Sequence, residues 1–586
     1  MLISRKERPV ARIANEASSH IFIFLSILLV ISRIPLNENA SPIYFFLFTL
    51  IVVSIAFLFA EGLKTSFAVL ASIGIFCTLI SVWAFLTRHI YSPGFDGYAY
   101  HLSAVWDIAA GWNPLLSPHN NIWVDSYPNG YWTLQSYVVA MTGLLMSGQA
   151  LVVGLMLAVA LLSYGFFLEH CGPKLPRYPR ITATIFAGVL VANPVVIGQL
   201  LTQYVDAPLY LFGAALTLFL LSDTLSSNRL ARIGAIACII LMVNTKTAAL
   251  YYTPLIVFGG LVAELALRHT DKSFLRRMYL WIRSKGLLFG FTFIFGVMAI
   301  GYKPYVTNVL DHGQPLYPSV DKIMKGNEPS NMIPLSAPMK FIYGIFARTD
   351  HSNWPIDEPI ELKVPGTFKL FEFKFLRFDT RRGGFGPFFS LTLLSAIAAY
   401  AVCRVAGRRN SSNNWHREGD SFALFGSTLI AASMFFPESW WARYIPFTWL
   451  SVLLFSIAAL NLTSKGFAHA FSRFLLVIVA LSFLGCILAS GLGAIREGIQ
   501  LHKRTEKIDF IAQFPKVKLL MFYDPPTYQD FQSSSTQDGL SVWSRLLADR
   551  GIKTEITRER RQFDCDMTGY LNGGIYWCIV IDEMMQ

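Results

Sequence analysis

The chain has 586 residues, 54% of them hydrophobic and only 15% charged, against roughly 25% charged in an ordinary soluble domain. That balance excludes a soluble globular protein and points to a polytopic membrane protein. The net charge of +12 falls as Lys and Arg in short loops between apolar runs, the pattern of the positive-inside rule, so it reads as topology and not as a nucleic-acid footprint.

In chain order, the first apolar run, about His20 to Ile34, follows Arg5, Lys6, Arg8 and Arg12 and lacks a small-residue cleavage site. It is expected to stay as a membrane anchor. A spanning helix needs about 20 apolar residues, and on that rule about thirteen are expected. They lie near 20–36, 43–60, 66–86, 148–168, 181–201, 207–222, 230–245, 248–265, 286–304, 384–403, 420–437, 443–460 and 472–492. With the N-terminus in the cytoplasm, the inner loops carry Lys174, Arg177 and Arg180, then Arg268, Lys272, Arg276, Arg277, Arg283 and Lys285, then Arg404, Arg408, Arg409 and Arg417. The short outer loops are poor in both residues, which supports that orientation.

This topology sends three segments outward: 87–147, 305–383 and the tail after about 493. The first alternates aromatic and polar residues and suits two interfacial helices, near Tyr98–Ala110 and Gly130–Met146. The second is Pro-rich and opens on His312-Gly313-Gln314-Pro315-Leu316-Tyr317-Pro318; loops of this length in a compact protein are usually lids or binding loops. The tail, 493–586, reads as a small α/β domain, with strands at Val517–Tyr523, Lys553–Thr557 and Tyr576–Ile581 and a helix at Gly539–Asp549. Of the seven Cys, Cys77, Cys238 and Cys486 lie in apolar runs, and only Cys565 and Cys578, in the polar tail, are disulfide candidates. The fold class is thus an α-helical polytopic membrane protein with a small extracytoplasmic α/β domain.

The outer segments hold the residues that can carry chemistry. Asp96, in Phe95-Asp96-Gly97-Tyr98-Ala99-Tyr100-His101, can accept a proton from a hydroxyl or hold a divalent ion, and His101 can share its side of a following helix; the plain alternative for Asp96 is a helix N-cap. Asp206, in Gln203-Tyr204-Val205-Asp206-Ala207-Pro208, lies at the same membrane level and can share a base or metal site with Asp96, or serve only a turn. Lys246 and Arg443 sit at two further outward turns, well placed for a lipid phosphate. For Lys246 the alternative is snorkelling. For Arg443 it is a pair with Glu438, with Trp440 and Trp441 as interfacial belt residues. Arg381 and Arg382, before Gly383-Gly384-Phe385-Gly386-Pro387, are further cationic candidates, or cap a helix. No P-loop, dinucleotide glycine fingerprint or His-Glu-x-x-His is present.

Taken together, Phe95–Leu102 with Tyr127-Pro128-Asn129-Gly130, then Tyr204-Val205-Asp206, Pro315-Leu316-Tyr317-Pro318, Gly383–Pro387 and Trp441-Ala442-Arg443-Tyr444 resemble the bacterial GT-C membrane glycosyltransferases, the group of protein mannosyltransferases and lipid A aminoarabinose transferases. The resemblance covers roughly residues 66–450, leaving 1–65 as an N-terminal tail with two added helices, and 66–492 as the transmembrane module. It implies a multi-pass protein of the bacterial inner (plasma) membrane that takes a sugar from a polyprenyl-phosphate donor to a glycan, lipid or protein acceptor. Asp96 maps onto the family's essential outer-loop acid and Asp206 onto its second acidic position. In this reading Asp96 is the general base, Asp206 and His101 orient the acceptor or hold an ion, and Arg443 and Lys246 stabilise the leaving phosphate. Tyr100, Tyr127, Tyr317, Arg382 and Glu438 complete the expected substrate-binding set. Gly97 replaces the second acid of the paired dipeptide seen in some members, so a divalent metal on Asp96 and Asp206 is an open expectation. A flippase of lipid-linked sugars and a polymerase or ligase using a lipid-linked glycan are the competing readings; transporters place polar sites near the midplane, whereas these carboxylates gather at one face.

Overall fold

The computed structural model describes residues 8–34, 42–171, 178–267, 273–318, 328–350, 359–374, 376–407, 414–462, 466–514, 516–521, 540–557, 565–571 and 575–579. The chain opens with α1 (Arg8–Ile31), α2 (Pro42–Glu61) and α3 (Leu63–Leu86). Three short helices, α4 (Leu102–Ala109), α5 (Ile122–Ser126) and α6 (Gly130–Thr142), fill the first long loop. Then follow α7 (Leu151–His170), α8 (Pro179–Val191), α9 (Pro194–Gly198), α10 (Asp206–Ser226), α11 (Arg229–Val243) and α12 (Ala249–Leu267). Later helices run over Phe274–Ile300, Phe389–Gly407, Asn414–Met434, Phe447–Asn461 and Gly466–Ile511.

Every expected span holds helix among its described residues, and the one at 181–201 is broken in two. Among the described residues nine helices are long and apolar enough to cross a membrane, so the molecule is a helical, multi-pass membrane protein. Four expected spans fall outside that set. α8 stops at Val191 because Asn193 leaves the helical region and restarts the chain as the cap of α9, with Pro194 at its first position. α11 and Phe447–Asn461 have only 15 residues each, and Asn414–Met434 carries Arg417, Glu418 and Asp420 in its first turns.

Burial sorts the helices. α10 is apolar nearly all round and every residue from Asp206 to Thr224 is buried, the mark of a central helix. α2 is equally apolar, yet only 11% of its spanning window is buried, so it turns Tyr44, Phe48 and Phe59 outward as a lipid-facing helix does. Gly466–Ile511 has 46 residues, which at about 1.5 Å per residue is more than twice the roughly 30 Å of a bilayer core. The boundary expected near 493 therefore falls inside one continuous helix, which leaves the bundle and carries the terminal domain on its end. Gly493 permits this path, because a Cβ there would stand 1.8 Å from the Leu376 carbonyl oxygen.

The terminal domain is a four-stranded sheet ordered β2-β1-β4-β3, formed by β1 (Lys516–Met521), β2 (Lys553–Thr557), β3 (Met567–Tyr570) and β4 (Ile575–Ile579). β1 and β2 pair in parallel with a helix at 540–548 between them, and β4 runs antiparallel to both β1 and β3. The edge strand β3 was not expected: its four half-exposed residues include Gly569 and carry too little β-pattern. Phe522, Tyr523, Gly539, Val580 and Ile581, at the ends of expected elements, lie outside the described residues. Cys565 and Cys578, the two disulfide candidates, are bonded to each other.

The long segments gather at one end of the bundle. Trp441 Nε1 donates to the Asp379 carbonyl at 2.6 Å, Gln149 Nε2 to that of Thr87 at 3.2 Å, and Arg545 of the terminal domain pairs with Asp107 of α4 at 2.6 Å. α4 and α6, expected as interfacial helices, are instead packed on nearly all sides, because they pack on each other, α6 lies against α1, α2 and α3, and Arg545 of the terminal domain reaches α4.

Candidate functional site

The centre of the site is the first turn of α10. Asp206 lies there with its whole residue buried, where the free N–H groups of the helix start favour a negative charge. It does not serve a turn: Lys246, from the tight turn between α11 and α12, pairs with Oδ1, and Gln199 Nε2 donates to Oδ2 at 3.0 Å. Gln199 also accepts from the Ala207 amide at 2.9 Å, so one side chain fixes both the carboxylate and the backbone that bears it. Lys246 is buried and its ammonium lies 4.0 Å above the Tyr444 ring. It is an ion-paired residue, and the snorkelling alternative is ruled out.

Arg443 projects from the short turn Ala442–Tyr444 and faces three carboxylates at once: Asp379 at 3.1 Å, Asp96 at 3.6 Å and Asp206 at 4.0 Å. Its guanidinium also lies 4.2 Å over Trp441. The alternative pair with Glu438 does not form, and Trp440 and Trp441 are each only 1% exposed, so neither is a belt residue. Arg381 pairs with Asp379 at 2.6 Å and lies 4.4 Å over the same Trp441 ring. Three carboxylates and three cations thus meet here, and their charges cancel, which is the condition for burying them.

Asp96 is the most open acid of the cluster, its side chain 31% exposed against 4% for Asp206 and 14% for Asp379. It sits where a helical cap would, just before the π-turn Gly97–His101, but its side chain makes no capping bond, so the N-cap alternative fails. Burial, the largest influence, pushes its carboxyl above the ordinary carboxylate range, and Arg443 pulls it back only in part. Glycines admit this geometry: a Cβ on Gly94 would stand 2.1 Å from the Tyr204 hydroxyl, and one on Gly97 2.6 Å from Ser92 Oγ.

Aromatic rings wall the cluster. Tyr100 lies against Trp123, Tyr127 and His101, with centroids 5.7, 6.4 and 4.3 Å away. Burial keeps the Tyr100 and Tyr127 hydroxyls protonated, as donors. His101 accepts from Trp132 Nε1 at Nδ1, 2.8 Å away, and burial pushes it down to about 3. The ring is therefore neutral with its proton on Nε2, a hydrogen-bond donor and not a ready acid or base.

Seven of the expected residues converge here: Asp96, Tyr100, His101, Tyr127, Asp206, Lys246 and Arg443. Three lie elsewhere. Tyr317 stacks on His312 at 3.7 Å and its carbonyl accepts from Asn308. Arg382 faces Asp350 at 3.7 Å within the second loop. Glu438 accepts from Trp440 Nε1 at 2.8 Å, and burial and then the neighbouring Glu328 push it up to about 7. Sequence reasoning passed over Asp379, Gln199 and Tyr204. The signal for Asp379 was its place two residues before the arginines. Its neighbour Thr380 holds a φ of +44°, a strained conformation for a branched residue that costs about 1–3 kcal/mol and clusters at functional sites.

The expected metal site finds a different arrangement. Arg443 stands between Asp96 and Asp206, and among the described residues no group of three or more His, Cys, Asp or Glu is disposed to hold a metal ion. The donor set fits a guanidinium-bridged pair. Searches against family models, curated proteins and solved structures return no match to the chain.

Proposed function

We propose that the chain is a GT-C-like membrane glycosyltransferase with about thirteen spans in the bacterial inner membrane, its N-terminus cytoplasmic and its carboxylate cluster and C-terminal domain on the extracytoplasmic side. It would move a sugar from a polyprenyl-phosphate donor in the bilayer to an acceptor hydroxyl from the aqueous side. The observation that carries this reading is the pairing of a partly open, weakened acid, Asp96, with a guanidinium that reaches it from a buried charge-balanced cluster. The order of motifs along the chain supports the same reading, and the Cys565–Cys578 disulfide suits an oxidising compartment.

The chemistry follows from the placement. Asp96 takes the proton of the acceptor hydroxyl as its oxygen attacks the anomeric carbon. The bond from that carbon to the phosphate oxygen breaks, and the lipid phosphate leaves with the electron pair. A phosphate leaving group needs no proton, but its developing charge needs cations, and Arg443, Arg381 and Lys246 are already held rigid by carboxylates and aromatic faces. Asp206 positions Lys246, while Tyr100, Tyr127 and the neutral His101 offer donors to sugar hydroxyls. A single displacement inverts the anomeric centre.

The test is transfer of labelled sugar from polyprenyl-phosphate donors in membranes carrying the wild type or Asp96→Asn at matched protein levels. A fall of about two orders of magnitude or more is expected for loss of a general base. Unchanged transfer removes Asp96 from the chemistry, and no transfer by the wild type with any donor moves the reading to a flippase.

A further inference from the structure

We infer that the C-terminal domain is a working part of this site, holding the turn that carries Asp96 from two points. The inference rests on the glycosyltransferase reading for its effect on rate, but its mechanical part stands on contacts alone. The helical stretch running from the π-turn Gly97–His101 into α4 is gripped at both ends. At its start, Tyr98, two residues after Asp96 and fully buried, lies flat on Trp543 of the domain, with centroids 5.0 Å apart and planes 9° from parallel. At its end, Asp107 receives Arg545 of the same domain helix at 2.6 Å and His119 at 3.1 Å.

The strand of chain leading into Asp96 is held as well. Ser92 O accepts from the Tyr98 hydroxyl at 2.8 Å and from Arg504 at 3.2 Å, and His89 O accepts from Thr505 at 2.8 Å. Arg504 and Thr505 belong to the Gly466–Ile511 helix beyond its apolar part, so the helix that carries the domain also pins the loop. Tyr204 closes the other side of the segment against Gly94. Asp96 itself makes no capping bond and Arg443 reaches only its carboxylate, so the backbone that bears it depends on these neighbours. Trp543 and Arg504 are positioning residues: they touch the loop and not the reacting groups, and a shift of about 1 Å at the base costs up to two orders of magnitude in rate.

The full-length protein tests this with Trp543→Ala, Trp543→Phe and Arg504→Gln, measuring hydrogen exchange of residues 89–101 beside sugar transfer. Trp543→Ala is expected to lose protection over 89–101 and to lower kcat about tenfold or more with donor KM unchanged, Trp543→Phe to restore both by keeping a stacking ring. Arg504→Gln lies outside the domain core and leaves its fold alone, so a loss of protection there cannot be assigned to domain unfolding. Unchanged protection in both Trp543→Ala and Arg504→Gln overturns the inference, as does lost protection with unchanged transfer. If the wild type transfers no sugar, the glycosyltransferase reading falls, and the exchange data alone decide whether the domain holds the turn.

Discussion

The two ends of α10 each bury an aspartate answered by a lysine from elsewhere in the bundle, and they are finished differently. At the far end, Lys285 lies 2.7 Å from both Asp223 and Glu264, and Arg232 reaches the other Asp223 oxygen at 2.9 Å. Two cations meet two acids there and the network is closed. At the near end, Asp206 and Lys246 are just as buried, yet the cluster around them stays open in several places. Asp96 is partly exposed, Thr380 is strained, and Gln203, three residues before Asp206, is buried with neither amide atom hydrogen-bonded, as is Arg443 Nε. Buried charge alone does not mark a site; buried charge with unmet hydrogen-bonding capacity does.

Breaking each end should give opposite signatures. Lys285→Ala leaves Asp223 and Glu264 facing each other in the interior, and loss of one partner from a buried charge network costs about 3–5 kcal/mol. Thermal unfolding should register it, while the protein that remains folded transfers sugar at the wild-type rate. Lost transfer at an unchanged melting temperature would show that the closed end also serves the reaction. Asp96→Asn should do the reverse: a hundredfold loss of transfer, about 2.7 kcal/mol of transition-state stabilisation, with melting barely moved because the side chain is partly exposed and its charge is opposed by burial. Arg443→Lys is the intermediate case. An ammonium cannot face three carboxylates and lie flat on Trp441, so about a tenfold loss of kcat is expected, together with a measurable drop in melting temperature; a kcat equal to the wild type would mean that charge alone suffices there.

Much of this contrast can be read in the sequence, and the limits have physical causes. The apolar runs marked every helix of the bundle, since span-length hydrophobicity is the strongest local signal a chain carries. Asp96, Asp206, Lys246 and Arg443 stood out because a charge beside an apolar run is costly. Asp379 was missed because it sits in a polar loop, where an aspartate is ordinary until the fold brings it to Arg443. Tyr317, Arg382 and Glu438 were chosen from motifs whose loops turn inward on themselves, a long-range outcome that no local pattern encodes. The length of Gly466–Ile511 was hidden for the opposite reason: beyond the apolar part its Lys, Arg and Glu keep good helix propensity, and the expected boundary followed hydrophobicity instead.

The smallest effect concerns pH and separates the open acid from its neighbours. As the proposed general base Asp96 would work only when ionised, so kcat/KM should fall as pH drops through its pKa, and since burial raises that pKa, the acid limb should lie above the roughly 3.9 of a free aspartate. His101 is pushed down to about 3, so it stays neutral throughout this range, and His101→Gln should lower the rate at every pH without moving the limb. Burial and then Glu328 push Glu438 up to about 7, and it faces Trp440, Glu328 and Lys340, not the cluster. Glu438→Gln should therefore also leave the limb in place. A limb that disappears in Glu438→Gln and persists in Asp96→Asn would assign the titrating base to the turn between Asn414–Met434 and Phe447–Asn461, and the distinction between an open catalytic acid and its closed counterpart would have to be redrawn around Glu438.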